Sequence, residues 1–201
     1  KRKDYNKSIL HAIEKAIPRQ DEIDRALREV DGSSIHLSGN TLSFDNKDTK
    51  IDLGALAKGY AADRLKEYLN THDVKNAMIN LGGNVLAVGT KPDGSLWNVG
   101  IQKPFAPSGE VADILKVKDH SVVSSGIYER YFKKNGKIYH HILDPDTGYP
   151  VDTDYSQVTI VSKSSLLGDA LSTACMLMGA EKSGELTAQF PEVSLHPIAI
   201  E

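Results

Sequence analysis

One short stretch of the chain concentrates side chains that can exchange protons. An imidazole titrates near neutral pH, so a histidine in such a stretch is suited to general base chemistry. The alternative is a surface hairpin followed by a well-formed turn, and the stretch alone leaves both interpretations open. Within residues 139–150, the ionisable and hydroxyl side chains include His140, His141, Asp144, Asp146 and Thr147.

The local pattern predicts a β-hairpin that positions the two histidines. Asn135-Gly136 is a typical type I′ turn between two aromatic-rich runs, so residues 140–143 are expected to form the returning strand. His140 and His141 then face opposite sides, so that one can enter a pocket while the other lies in solvent. Residues 144–148 follow as a tight turn.

A second candidate site lies on a helix predicted over residues 169–178. Asp169 and Thr173 are four residues apart, so their oxygen atoms share one helix face with Ser172 beside them. A carboxylate and a hydroxyl stacked at a helix N-terminus are suitable ligands for Mg²⁺. The alternative is an N-capping Asp169 and an ordinary helical Thr173. Gly179 is expected to end this helix.

A third feature is a helix predicted over residues 54–70, whose first turns are rich in glycine and alanine. Small residues allow backbone or a ligand to approach closely, and free N–H groups at a helix start favour an anion. Asp52 stands directly before this helix, where an N-cap is its alternative role. Lys58 can equally be a solvated charge. The glycine spacing matches neither a phosphate-binding loop nor a dinucleotide fingerprint.

Paired glycines separate two short apolar runs, residues 76–81 and 84–88. Gly82 and Gly83 permit positive φ angles and the close passage of a ligand. A plain hairpin turn explains them equally well.

The remaining pattern predicts further helices and short strands. Residues 21–30 have a helically spaced apolar face behind an acidic first turn, so we expect a helix that Gly32 ends. Residues 5–16 are also compatible with a helix. A hairpin is expected over residues 34–44, and further strands over residues 97–101, 112–117, 121–125 and 157–161, with a helix and a last strand after residue 180.

Composition predicts one globular domain over residues 1–201, with 40% hydrophobic and 25% charged residues. A net charge near −3 gives no reason to expect nucleic acid as a partner. No apolar run approaches the roughly 18–20 residues that span a bilayer, so no membrane span is expected. The single cysteine, Cys175, excludes an intramolecular disulfide and a cysteine-based zinc site, and we expect a buried, unreactive thiol.

Five blocks of the chain follow one another in the order of a known family's motifs. Residues 52–61 look like the segment D-L-G-x-x-A-K-G-Y-A, and residues 76–84 look like N-A-x-x-N-x-G-G-N. The other three blocks are residues 125–132, 141–148 and 169–173. Together they resemble the flavin transferase family known as ApbE, over about residues 18–180. The resemblance implies an α+β fold with mostly antiparallel β-sheets flanked by helices.

The resemblance also implies an enzyme that binds FAD with Mg²⁺ and cleaves its pyrophosphate. The FMN half is transferred to a threonine hydroxyl of a target protein as a phosphoester, and AMP is released. Phosphoryl transfer of this kind needs charge neutralisation and in-line positioning more than covalent help. Some members use water instead and act as FAD pyrophosphatases. A flavin-binding carrier without turnover is a further alternative.

Roles for single residues follow from the resemblance. His141 is implied as the base that removes the proton of the acceptor hydroxyl. Asp144 is implied to orient the His141 turn, although a purely structural role explains it equally well. The implied FAD contacts are Asp52, Lys58, Gly82, Gly83 and Leu143. The implied magnesium ligands are Asp169, Ser172, Thr173 and the backbone carbonyl of Ala55.

Partner and location are implied in the same way. The acceptor is expected to be a protein with a flavinylated threonine, such as a subunit of a redox pump. Bacterial members of the family are commonly exported, so an extracytoplasmic location is expected, periplasmic or at the cell surface. Family members carry a longer N-terminal portion that contributes to the flavin pocket, and the chain is expected to lack it before about residue 18. The tail after Gly179 matches the family loosely.

Overall fold

The structure, a computed structural model, describes residues 17–200. Two compact units make up the chain. Lys1–Asp52 and Arg130–Val151 form the first unit, and Leu53–Glu129 and Asp152–Glu201 form the second unit. The helix predicted over residues 5–16 lies outside the described residues, and the single domain over residues 1–201 stays a prediction.

The described part of the chain contains three α-helices and eleven strands. The helices are α1 (Gln20–Leu27), α2 (Ala57–Thr71) and α3 (Ser165–Ala188). The strands are β1 (Ile35–Ser38), β2 (Thr41–Phe44), β3 (Ala77–Asn80), β4 (Asn84–Val88), β5 (Trp97–Gln102), β6 (Val111–Val117), β7 (Ser121–Gly126), β8 (Tyr131–Lys134), β9 (Lys137–His140), β10 (Tyr155–Ser162) and β11 (Ser194–Ala199). Antiparallel sheets with helices confirm the predicted α+β class. Between residues 17 and 200, no helix is both long and apolar enough to cross a bilayer.

The first unit contains α1 and two hairpins, β1–β2 and β8–β9. The backbone N–H of Arg19 donates to Glu22 at 2.9 Å, which stabilises the start of α1. The helix ends at Leu27, so the prediction that it continues to residue 30 is wrong, as is the role of Gly32 as its end. Ile23 is buried, whereas Val30 is 55% exposed, so no packing holds the predicted last turn in a helix.

The second unit is built on a five-stranded antiparallel sheet with the order β11-β10-β7-β4-β3. Side chains alternate along β4, as expected for a strand that is covered on both faces. Leu86 and Val88 pack with Ala62 of α2, whereas Ala87 on the other face packs with Val99 of the β5–β6 hairpin. One face of the sheet therefore packs against the helices, and the other face packs against the β5–β6 hairpin.

Helices α2 and α3 approach each other unusually closely in the second unit. A Cβ atom on Gly59 would lie 2.3 Å from the carbonyl oxygen of Ser165, so only glycine fits at this crossing. Helix α2 begins at Ala57, three residues later than predicted, and its N-cap is Leu56, so the alternative role of Asp52 as the N-cap is wrong.

Helix α3 begins at Ser165, four residues earlier than predicted. Its N-cap is Ser164, whose hydroxyl accepts from the backbone N–H of Leu167, so the alternative reading of Asp169 as an N-cap of this helix is wrong. The predicted end at Gly179 is a break inside the element, with φ 74° and ψ −176°, after which helical residues continue to Ala188.

Candidate active site

The carboxylate of Asp169 closes the start of the neighbouring helix in the second unit. Its Oδ2 accepts from the backbone N–H of Gly59 at 2.8 Å, and the backbone N–H of Lys58 also bonds to the carboxyl group. The side chain comes from the second turn of α3 and is only 3% exposed. The anion expected at the start of α2 is therefore supplied by the chain itself, as a cap contributed by another helix.

Burial raises the pKa of Asp169 above its ordinary value of 3.8. The Gly59 N–H and the positive charge of Lys58 oppose this effect without cancelling it. A carboxylate that is poorly solvated in this way gains most from a cation placed against it. A carboxylate oxygen carries more than one lone pair, so Asp169 can contact a cation while it accepts from Gly59.

Hydroxyl groups surround Asp169 on the same helix. The Ser172 hydroxyl donates to the Asp169 backbone carbonyl at 3.0 Å. Ser125, on β7, places its Oγ 2.8 Å from the Oγ of Ser172 and 3.3 Å from the Oγ1 of Thr173. Predictions from the sequence missed this link, although alternation along β7 points Ser125 to the helix face, two residues after the buried Val123.

These donors fit a magnesium ion, because carboxylate and hydroxyl oxygens are the ligands of hard cations. Among residues 17–200, no group of three or more His, Cys, Asp or Glu side chains is placed to hold a metal ion. Asp169 is the carboxylate of the candidate site, and hydroxyls, water and phosphate oxygens are suited to the other coordination positions. Ala55, the fourth predicted ligand, lies in the exposed turn directly before α2.

The paired glycines lie beside this cluster. Gly82 and Gly83 have φ angles of 69° and 78° and join β3 to β4 as a type I′ hairpin turn, which requires positive φ at both positions. The Nζ of Lys58 donates to the Gly82 carbonyl at 3.2 Å. The structure thus brings together Lys58, Gly82, Gly83 and Asp169, which were predicted from separate parts of the sequence.

A cavity of about 260 Å³ opens on the other face of the sheet. Two residues of its lining, Tyr128 and Ser124, are connected through buried side chains: the Tyr128 hydroxyl donates to Gln157, and both Gln157 and Ser124 contact the Oγ1 of Thr159, at 3.0 and 2.8 Å. Burial raises the pKa of Tyr128 to about 12, so this phenol is a hydrogen-bond donor at neutral pH. Gly83, Ser124, Tyr128 and Glu129 are among the residues that line the cavity.

The two adjacent histidines belong to the first unit and differ in burial, as predicted. The returning strand is Lys137–His140, so the prediction of residues 140–143 is displaced by three residues. His140 is 8% exposed, and burial lowers its pKa, which keeps this imidazole neutral. His141 is exposed, and its Nδ1 lies 3.3 Å from the carbonyl oxygen of Arg130. Donation from Nδ1–H to that carbonyl leaves the proton off Nε2 in the neutral ring.

The turn after His141 is held by its own backbone and by α1. Oδ1 of Asp144 accepts from the N–H of Asp146, and the Asp144 carbonyl accepts from Gly148, both at 2.8 Å. Gly148 has φ 71°, and a Cβ there would lie 2.7 Å from a methyl group of Ile23. This arrangement gives Asp144 a structural role in the turn that presents His141.

The other two residues predicted to contact FAD are exposed in the first unit. Leu143 is 52% exposed, and its backbone pairs with Pro150 in an isolated bridge. Asp52 is the last residue of the first segment of that unit. Their roles toward a ligand stay predictions.

Comparison with known proteins gives one consistent family. The family model described as "ApbE family" matches residues 7–195, a longer range than the predicted 18–180. The FAD:protein FMN transferase of Treponema pallidum is 39% identical over 193 residues, which are 89% of this chain and 53% of that protein. The FAD:protein FMN transferase of Klebsiella pneumoniae is 47% identical over 133 residues, covering 66% of this chain and 40% of that protein.

Solved structures agree with the sequence comparisons. The ApbE protein of Thermotoga maritima superposes with a TM-score of 0.80 at 34% identity, covering 92% of this chain and 60% of that one. The flavin transferase ApbE of Vibrio cholerae gives a TM-score of 0.81 at 29% identity, covering 92% and 58%. The chain therefore belongs to the ApbE family. It spans about half the length of the curated relatives that it matches.

Proposed function

We propose that this chain is an enzyme, a Mg²⁺-dependent FAD:protein FMN transferase. It cleaves the pyrophosphate of FAD, attaches FMN to a threonine of a target protein through a phosphoester, and releases AMP. The observation that carries the proposal is the buried Asp169 carboxylate among hydroxyl groups, beside Lys58 and the Gly82-Gly83 turn. The relatives named FAD:protein FMN transferase support the same activity.

Asp169, Lys58 and the Gly82-Gly83 turn bind and orient the pyrophosphate. Asp169 would hold Mg²⁺, with Thr173, Ser172 and the Ala55 carbonyl as the further protein ligands. When bound, the metal neutralises charge on the phosphates. Lys58 adds a positive charge at the same place, and the backbone at Gly82 and Gly83 lets the ligand pass closely because no side chain intervenes.

His141 is the base. The Nε2 of His141 accepts the proton of the threonine hydroxyl as the threonine oxygen forms its bond to the FMN phosphorus. The bond from that phosphorus to the bridging oxygen breaks, and AMP leaves with this oxygen. The Nδ1–H contact with Arg130 and the Asp144 turn hold the ring in this tautomer and orientation. Asp52 and Leu143 complete the FAD contacts.

The acceptor and the location complete the proposal. The acceptor is a protein whose threonine is flavinylated, such as a subunit of a redox pump. The place of action is extracytoplasmic. Localisation of the full-length protein by cell fractionation tests the second statement, and recovery in the cytosolic fraction would contradict it.

Mass spectrometry tests the activity directly. The chain is incubated with FAD, Mg²⁺ and a threonine-containing acceptor protein, with a chelated sample and an acceptor carrying alanine for threonine as controls. A mass gain of one FMN on the threonine, lost in both controls, is the expected result. Free FMN and AMP without an adduct would replace the transferase by an FAD pyrophosphatase. Unchanged FAD would reduce the function to flavin binding.

A further inference from the structure

The first turn of α3 is held by a carboxylate from α2. Asp63 accepts from the backbone N–H groups of Ser165, at 2.8 Å, and Leu166, at 3.0 Å. The hydroxyl of Ser164 also donates to Asp63, at 3.0 Å. The next two N–H groups of α3 bond to the hydroxyl and carbonyl of Ser164. The first three N–H groups of α3 therefore have side-chain acceptors, and the fourth, that of Gly168, makes the first intrahelical bond.

Helices α2 and α3 cap each other. Asp169 of α3 accepts from the N–H of Gly59 at the start of α2, and Asp63 of α2 accepts from the start of α3. Gly59 and Asp63 are four residues apart, so they lie on the same face of α2, and Ser165 and Asp169 are four apart on α3. Each helix thus supplies the carboxylate that caps the start of the other helix.

We propose that Asp63 is a positioning residue for the magnesium site, a role that rests on the proposed function. Asp63 sets the position of the first turn of α3, and Asp169 lies one turn further along the same helix. Loss of the Asp63 carboxylate leaves two N–H groups and a hydroxyl without their acceptor, so the start of α3 shifts or frays. The carboxylate of Asp169 and the hydroxyl of Thr173 then leave the geometry that a magnesium ion requires.

Metal binding without turnover provides the test. Mn²⁺ binding to the metal-free chain is measured by calorimetry and electron paramagnetic resonance for the parent, Asp63→Asn and Glu67→Gln. Asp63→Asn keeps the size of the side chain and removes its charge, and we expect Mn²⁺ affinity to fall by about 10–100-fold. Glu67 is an exposed acid on the same helix, paired with Arg64, and its variant is expected to bind Mn²⁺ like the parent. The Kd for FAD, measured at saturating Mn²⁺, should stay close to that of the parent in both variants.

The outcomes separate this inference from the proposed function. If the parent binds no Mn²⁺, the magnesium-dependent function fails. If the parent binds Mn²⁺ and Asp63→Asn binds it equally well, the positioning role of Asp63 is overturned. Should Asp63→Asn not fold, Ser164→Ala removes one of the three contacts and is expected to weaken Mn²⁺ binding by about threefold, in line with the loss of one cap. Unchanged affinity in that variant would also overturn the inference.

Discussion

The two regions predicted to carry the chemistry are built in opposite ways. Asp169 is 3% exposed and fixed by hydrogen bonds from a neighbouring helix, and the hydroxyls around it bond to one another. His141 is exposed and lies at the start of a turn that belongs to a small hairpin unit. One region is enclosed by helices and sheet, and the other is open to solvent.

This difference fits the two reactants of the proposed transfer. A pyrophosphate with its metal is small and strongly charged, and a site that excludes water strengthens each electrostatic contact with it. The acceptor threonine is part of another protein chain, so the group that takes its proton has to be accessible to that chain. The proposed metal site therefore requires a buried Asp169, and the proposed base requires an exposed His141.

The largest effect is expected from Asp169→Ala. Loss of the carboxylate of the cluster should lower turnover by about 10⁴-fold, because several kcal/mol of charge stabilisation depend on the metal. Turnover measured across a Mg²⁺ titration checks this, with Glu185→Ala, an exposed acid on the same helix, as the control. A parent-like response to Mg²⁺ in Asp169→Ala would remove this residue from the site.

His141→Ala should come next, with transfer reduced by about 10³-fold and FAD affinity nearly unchanged, as expected for the loss of a general base. His36→Ala is the matched control, because this histidine is also exposed and belongs to the same unit. Single-turnover transfer and fluorescence titration with FAD separate the two quantities. Transfer at the parent rate would show that His141 is not the base.

Gly59→Ala tests how tightly the enclosed region is packed. The added methyl group meets the Ser165 carbonyl, so α2 and α3 must separate, and we expect a loss of about 1–3 kcal/mol in the free energy of unfolding. Gly184→Ala is a matched control on α3 with no atom within 4 Å of the new Cβ, and it should be neutral or stabilise by up to about 1 kcal/mol. Urea unfolding measures both. Equal stability of the two variants would show that the helices can separate without loss.

The smallest effect concerns the stability of the metal-free chain against pH. Because the pKa of Asp169 is raised by burial, its charged form is disfavoured in the folded state, and the parent loses stability as pH rises above 3.8 through the raised pKa. Asp169→Asn cannot ionise, so its melting temperature should exceed that of the parent at neutral pH, and the gap should close toward pH 3.8. Addition of Mg²⁺ should raise the melting temperature of the parent alone. A gap that is independent of pH would contradict this account.

Local turn chemistry explains why much of the fold could be predicted. Asn135-Gly136 and Gly82-Gly83 each specify a two-residue hairpin turn, and both hairpins are present, since the signal lies within a few neighbouring residues. Helix limits were less accurate, because Val30 has no packing partner and α3 starts at a serine cap that the pattern did not single out.

The candidate site was predicted only in part. Asp169, Lys58 and the glycine pair were found from residue types and resemblance, but their assembly rests on contacts between distant segments, such as the Gly59–Asp169 bond across 110 residues. Asp63 and Ser125 were missed for the same reason. A retrospective signal exists for each: Asp63 lies four residues after Gly59 on one helix face, and Ser125 alternates with Ser124 along β7.

The break at Gly179 divides α3 into two helical segments, which the Ser183 hydroxyl links by its contact with the Cys175 carbonyl. Beyond it, the N–H of Ala180 donates to the side chain of Asp154 at 3.2 Å, and the Ser183 hydroxyl donates to the Gly179 carbonyl. Fraying from the C-terminal end of the helix therefore stops at residue 179 before it reaches the turns that contain Asp169 and Thr173. In amide hydrogen exchange, residues 180–188 should exchange faster than residues 169–178. Changes at the exposed residues of the last helical segment are accordingly expected to leave the candidate metal site unaffected, whereas Ser183 is bonded to the Cys175 carbonyl before the break.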